Sequence, residues 1–414
     1  MRLASSRAET QADTVKISTI ETIRIAEHPN LIWVEVTTDE GVKGLGETFF
    51  GAKAVEAYVH ETAAPILLGR DALAIDANAR ALAGYLGFAG AGVEMRGASA
   101  IDIALWDIFG KVARQPIAQL LGGFTRDRIR TYNTCAGSAY MKGAGGQKVS
   151  NYGLNDAVHR YADLDAFLHR ADDLADDLLS EGITAMKIWP FDMAAEASGG
   201  QRIDAASLRG ALVPFEKIRR RVGDRMEIMV EFHSMWQLLP AIEIARALAP
   251  FHTFWHEDPI RMDSLADLKR YSEASTAPVC ASETLATRWR FKDLLLTDAA
   301  GVVMPDLSWC GGISEARKIA AMAEAWRLPI APHDCTGPVV LCASTHLALN
   351  APNALVQESV RAFYRTWYGD IVTQLPDVKD GMIGAPPGPG LGLELQPDLP
   401  RRFTVTRQSS RAGG

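Results

Sequence analysis

The sequence predicts an α/β protein: a (β/α)8-type barrel with a separate α+β capping domain. Two observations point to the barrel. Between residues 129 and 360, eight short apolar runs alternate with segments of helical period, as repeated strand-plus-helix units require. Four of the runs, in IMVEFH, FWHED, VCASE and VVMPD, carry an acidic residue at their end, and Glu231, Glu257 and Glu283 recur at intervals of 26. The third observation concerns residues 1–128, where that alternation is absent and strand-like runs precede helical ones.

Residues 1–14 are polar and read as frayed. The branched, apolar runs 15–22 and 31–37, separated by HPN and closed by DEG, read as strands, and GLGET at 44–48 as a third. Together they predict a small antiparallel sheet. Helical spacing runs from Val55 to Ala83, broken by Leu68-Gly69-Arg70-Asp71, and resumes near Gly97 towards Gln115-Pro116. Gly122-Gly123 closes the capping domain, assigned to 1–128.

The barrel is assigned to 129–360, with strands at 129–134, 183–189, 226–232, 252–256, 278–282, 301–305, 328–332 and 355–358. Helices are expected at 163–180, 205–221, 239–249, 264–273, 286–297, 313–326 and 342–350. The insertion 136–162, rich in Gly and Ser, reads as a rim loop. Residues 361–414 are expected to return to the capping domain and end in a tail, QSSRAGG.

With 414 residues and 48% hydrophobic content, the chain can bury a large core. A net charge of -7 argues against nonspecific nucleic-acid binding, and no apolar stretch is long enough to span a membrane. The five cysteines, Cys135, Cys280, Cys310, Cys335 and Cys342, form no CxxC pair. An odd number suits a reducing compartment, so the expected location is cytoplasmic.

Successive strand ends of such a barrel share one rim, the face where barrel enzymes place their sites. Taken alone, any one of the three glutamates is as well explained by an arginine partner or a helix cap. Three at successive strand ends offer hard oxygen ligands of the kind Mg2+ takes, and without a cation they repel one another. His333, in IAPHDCTGP, follows an apolar run, and Asp306 ends the previous one. The carboxylate can hold one imidazole nitrogen and leave the other to accept a proton. Asp334 is the weaker partner. His233, two residues past Glu231, returns to the same side if strand alternation continues, where it can protonate a leaving hydroxide. His256 and Asp258, flanking Glu257, point elsewhere and read as structural. Lys187 can meet a substrate carboxylate, Trp189 can line the pocket, and Glu358 can bind the substrate carboxylate or enolate. Trp309, Trp367 and Tyr368 fit either pocket closure or core packing.

Taken together, ASAIDIALWDIFGKVARQPIAQLLGG at 98–123 and the ordered series MKIW, VEFH, HEDP, ASET, MPD, PHD and QES resemble the enolase superfamily, within it the mandelate racemase-like group of acid-sugar dehydratases. Metal-stabilised enediolate formation with a lysine or histidine base is that superfamily's chemistry. The resemblance implies that Glu231, Glu257 and Glu283 bind Mg2+, that Asp306 and His333 form the catalytic dyad, and that Glu358 is the substrate-binding acid. His233 is similar to the general acid of galactonate dehydratase-like members. Lys187 matches the first lysine of the racemase KxK pattern, and Trp189 stands where the second would be, which counts against racemisation. The implied reaction is dehydration of an aldonate or related sugar acid to a 2-keto-3-deoxy acid. Epimerisation or cycloisomerisation of a sugar acid is the alternative, and a noncatalytic metabolite-binding relative a further one. The expected partners are the small acid sugar and other copies of the chain in a homo-oligomer. The capping segments near 24–30 and 82–95 are expected to select the substrate.

Overall fold

The structure, a computed structural model, describes residues 14–83, 90–143, 146–154 and 160–413. The frayed reading of residues 1–13, the middle of the 82–95 segment and parts of the 136–162 insertion fall outside these residues. Strands β1 (Ile17–Ile25), β2 (Leu31–Thr38) and β3 (Lys43–Phe49) form the expected antiparallel meander. The helix Val93–Ala113 packs across it. Contact is close because β3 presents Gly44 and Gly46. A Cβ at either would run into the carbonyls of Ala104 or Ala100.

Parallel strands β4 (Ile129–Thr134), β5 (Ala185–Ile188), β6 (Glu227–Glu231), β7 (Trp255–Glu257), β8 (Val279–Ala281) and β9 (Ala300–Val303) follow one another round the barrel. β10 (Gln357–Ser359) pairs with β4 and closes the ring. The strand expected at 328–332 shrinks to bridges from Ile330 to Val303 and Ala354. Pro329 and Pro332 flank it, and neither has an N–H to give to a ladder. Tyr132, Ala185, Met229, Trp255, Cys280, Val302, Met304, Ala331 and Val356 fill the interior as one apolar cluster, to which every strand position contributes.

Outer helices lie at Ala205–Val222, Leu238–Leu248, Leu265–Ala274, Thr287–Leu295, Gly312–Ala325 and Pro338–Asn350. The helix expected at 163–180 divides at Arg170 into Asp163–His169 and Ala171–Ser180. An unforeseen helix, Asp192–Ser198, follows β5. Beyond the barrel, the chain does not pass straight to the capping sheet. A hairpin of β11 (Asp377–Lys379) and β12 (Met382–Gly384) first pairs antiparallel with β4. Only β13 (Val405–Arg411) joins the capping sheet, along β1, so most of the supposed tail is strand.

Buried polar contacts fasten the capping domain to the barrel. The Asp102 carboxylate accepts from the Ser314 backbone N–H at 2.9 Å, Trp106 Nε1 donates to Ser314 Oγ at 2.9 Å, and Gly311 N donates to Ser99 Oγ at 3.0 Å. Glu47, at the end of β3, caps the helix Pro338–Asn350. Its Oε1 accepts from Val339 N at 3.1 Å and Val340 N at 3.0 Å, and its Oε2 from Trp33 Nε1 at 2.6 Å.

Burial pushes the Asp102 carboxyl up to about 7, against the pull of its Ser314 bonds. An unfolded aspartate titrates near 3.9, so this group's contribution to stability is greatest below that value and is lost as pH rises towards 7. Asp102→Asn keeps an acceptor for Ser314 and cannot ionise. Between pH 5 and pH 8 it should therefore lose less stability than the native chain, by on the order of 2 kcal/mol. Urea unfolding at both pH values measures this, and equal losses would contradict it.

Candidate active site

Glu231 ends β6 and pairs in register with Glu257, which ends β7, while Glu283 lies just past β8. One oxygen from each lies within 4.8 Å of the others, and all three residues are buried. Lys187, on β5, enters the same space. Its Nζ is 2.5 Å from Glu257 Oε1, 2.8 Å from Glu358 Oε1 and 3.4 Å from Glu231 Oε2. The lysine expected to face a substrate carboxylate thus holds the protein's own carboxylates together.

His333 and Asp306 meet as expected: Nδ1 is 2.7 Å from Asp306 Oδ2. Ser308 steadies the other oxygen of Asp306 through its N–H at 2.7 Å and its hydroxyl at 2.6 Å. His333 Nε2, the nitrogen left for chemistry, is 2.6 Å from Glu283 Oε2. The imidazole is therefore a free base only when the charge of Glu283 is taken up by something else.

His233 also reaches the site, by a different route from the one its spacing suggested. β6 stops at Glu231, and His233 has a left-handed backbone (φ 49). That turn carries its Nδ1 to within 2.6 Å of Asp192 Oδ2, which also accepts from Tyr152 Oη at 2.7 Å. The N–H groups of Phe232 and His233 meanwhile bind Glu231 Oε1 at 2.9 Å and 2.6 Å.

Trp189 packs among Tyr140, Phe167 and His233, with ring centroids 5.5, 5.2 and 5.7 Å away. Glu358 Oε2 accepts from Asp334 N at 2.7 Å, and its Oε1 accepts from the Thr134 hydroxyl. His256 faces Thr253 and Tyr271, and Asp258 accepts from Ser282 Oγ, so neither joins the three glutamates. Trp309 lies 5.4 Å from His333, and Trp367 stacks on His28 at 4.4 Å. The fully buried Tyr368 packs edge-on against Trp367 at 4.6 Å. Asp192 and Arg96 were not singled out from the sequence. The available signal for Asp192 was its place three residues past a strand that already carried Lys187 and Trp189.

Burial raises the carboxyl of Glu231 to about 7, against the pull of Lys187. Burial and then Glu231 push Glu257 well above the usual range. Glu283 goes the other way. Burial, the largest single influence, opposes its ionisation, but His333, His233 and Lys187 together outweigh it and bring the carboxyl down to about 2. Burial likewise disfavours the His333 imidazolium, and Glu283, Glu358 and Asp306 more than reverse this. Glu231 Oε2 is buried and makes no hydrogen bond, its contact with Lys187 Nζ at 3.4 Å being an ion pair alone. A shortage of positive charge among oxygen donors suits a hard divalent cation, and these three glutamates supply the donor set.

Family models match both parts of the chain. Residues 8–122 fit the mandelate racemase / muconate lactonizing enzyme N-terminal domain, and residues 170–399 the enolase C-terminal domain-like model. The chain is 32% identical over 398 residues to a D-galactonate dehydratase of Xanthomonas euvesicatoria, covering 94% of each, and 30% identical over 388 residues to one of Variovorax paradoxus, covering 92% of each. Among solved structures, it is similar to an enolase of the mandelate racemase subgroup from Agrobacterium tumefaciens (63% identity, TM-score 0.86, 96% of this chain and 99% of that one). An enolase protein from a Sargasso Sea environmental sample gives 43% identity and a TM-score of 0.85, over 97% of this chain and 100% of that one.

Glu283→Gln removes one anionic donor without changing shape. It should weaken Mg2+ binding by at least about 100-fold in calorimetric titration, beyond the 10- to 100-fold seen when only supporting groups are lost. An unchanged isotherm would remove Glu283 from the cation site.

Proposed function

The chain belongs to the mandelate racemase / muconate lactonizing enzyme family of the enolase superfamily, and from that premise we propose that it dehydrates an aldonate or related sugar acid to a 2-keto-3-deoxy acid. The observation that carries this reading is the pair of His–Asp couples beside the acid cluster: His333–Asp306 against Glu283, and His233–Asp192 next to Glu231. Dehydration needs one group to take a proton and another to give one.

Glu231, Glu257 and Glu283 would hold Mg2+. Bound there, the ion supplies positive charge where the substrate carboxylate gains electron density. Asp306 fixes the tautomer of His333 so that Nε2 is the proton acceptor. His333 takes the hydrogen from the carbon next to the carboxylate, and the electrons of that C–H bond form the carbon–carbon double bond of an enol. His233 gives its proton to the hydroxyl on the next carbon, whose C–O bond breaks and releases water. The enol then ketonises. Lys187 and Glu358 bound the space where the substrate carboxylate would lie, so Lys187 would turn from the glutamates to the substrate when the cation is present. Trp189 offers no proton acceptor where a second lysine would stand, which supports elimination over racemisation or epimerisation.

Among the described residues no helix is long and apolar enough to cross a membrane, and all five cysteines are free. The free thiols support a cytoplasmic setting.

Incubating the Mg2+-loaded chain with a stereochemically broad panel of acid sugars in D2O, followed by NMR, tests the reading. At least one sugar should exchange its α-proton and yield a 2-keto-3-deoxy acid. His333→Asn should slow both by about 10²–10⁴-fold, the usual share of a general base, while leaving the Mg2+ isotherm near its native position. Native exchange rates in that variant would give the step to another base, and no turnover of any acid sugar by the native chain would sink the proposal.

A further inference from the structure

Arg96 has no role in the reaction described above. It sits in the first turn of the helix Val93–Ala113, with its guanidinium carbon 4.5 Å from the Trp309 ring and 5.7 Å from that of Phe50. One N–H, on Nη1, goes to the Phe49 carbonyl. A guanidinium has five N–H donors, and among the described residues the other four meet no acceptor. Among the described residues no carboxylate lies within ion-pair distance of it. The most buried arginine among the described residues is treated differently: Arg361 is matched by Asp163 at 2.7 Å, Asp177 at 2.7 Å and Glu181 at 3.0 Å. The acids that act on Arg96 from further off, Asp306 and Glu283, are both engaged by His333.

Arg96 lines an open cavity of about 460 Å³ together with Phe50, Gln147, Glu283 and Trp309. Those four also line the cavity that reaches Lys187, Glu231, His233 and His333, so the two spaces adjoin. A volume of this size suits a small-molecule site. The Trp309 indole touches both chemistries, its ring 5.4 Å from His333 and 4.5 Å from the Arg96 guanidinium carbon.

On the dehydratase reading, we infer that the substrate is a sugar diacid, with Arg96 receiving the carboxylate remote from the reacting carbon. In an extended six-carbon diacid the far carboxyl carbon lies roughly 5 Å beyond the carbon that loses its proton. A charge-assisted N–H···O bond adds about 2.8 Å, enough to span the indole. The planar fork of N–H donors matches a carboxylate through two parallel bonds. An aldonate ends instead in a neutral CH2OH, which leaves the cation desolvated and unpaired, and unpaired site groups are what reject the wrong substrate. The inference departs from the name carried by the relatives, since galactonate has a single carboxylate.

The test compares six-carbon aldarates with the matching aldonates on the Mg2+-loaded chain, by calorimetric binding and by kcat/KM. The native chain should prefer a diacid, and Arg96→Met should collapse the diacid-over-aldonate ratio by about 10- to 100-fold, chiefly through KM, with Arg96→Lys recovering part of it. Equal losses for both classes would overturn the inference, because a residue that only braces the capping helix on Trp309 predicts that result. Should Arg96→Met not fold, the native chain decides alone: diacids that bind no tighter than aldonates overturn the inference whatever their turnover. Diacids that bind in an Arg96-dependent way without being exchanged or dehydrated would uphold Arg96 as the receiver of the remote carboxylate and defeat the dehydratase reading instead.

Discussion

Three glutamates buried within reach of one another impose the constraint from which the rest of the barrel mouth follows. Ionised side by side in a poorly solvated space, they repel strongly, and proteins resolve such clusters by protonation or by a nearby cation. Lys187 and His333 supply that positive charge, the lysine lying between Glu257, Glu231 and Glu358 and the imidazole against Glu283. Both are also the groups with most to offer a substrate. A divalent cation among the glutamates would release lysine and imidazole together, so filling the cation site and arming the reactive groups become one event.

The capping domain supplies the rigidity that such a site needs. Glu47 and Thr48, adjacent on β3, reach opposite sides of the His333–Asp306 couple: Glu47 caps the helix that begins just after the His333 loop, and Thr48 donates to the carbonyl of Ser308, the residue that holds Asp306. A His–Asp couple held from both ends keeps its geometry. The next residues, Phe49 and Phe50, line the cavity that reaches His333, and Phe50 lines the adjoining one with Arg96 and Trp309. One short run of the small domain thus both steadies the His333–Asp306 couple and lines the cavity beside it.

Much of this was legible in the sequence. Acidic residues at the ends of regularly spaced apolar runs located the glutamates because a parallel barrel puts every such end on one rim, and the same logic found Asp306 and His333. Strand extent was less legible where proline intervened, as around Ile330. β13 was missed because a polar edge strand looks like a tail until the free edge of β1 is known to receive it. Asp192 escaped because it belongs to a short helix after Pro190 with no long period to mark it, and the left-handed backbone of His233 is not encoded in strand alternation. Arg96, at the polar start of an amphipathic helix, resembles any solvated arginine. Only the position of Trp309, more than two hundred residues away in the chain, makes it a wall of the pocket.

The central claim is that the three glutamates hold one divalent cation, and a crystal grown with Mn2+ in place of Mg2+ tests it directly through anomalous scattering. The account predicts a single strong peak about 2.1 Å from an oxygen of each of Glu231, Glu257 and Glu283, with Lys187 Nζ withdrawn from Glu257. A peak elsewhere, or none at saturating Mn2+ with the lysine still between the carboxylates, would contradict it.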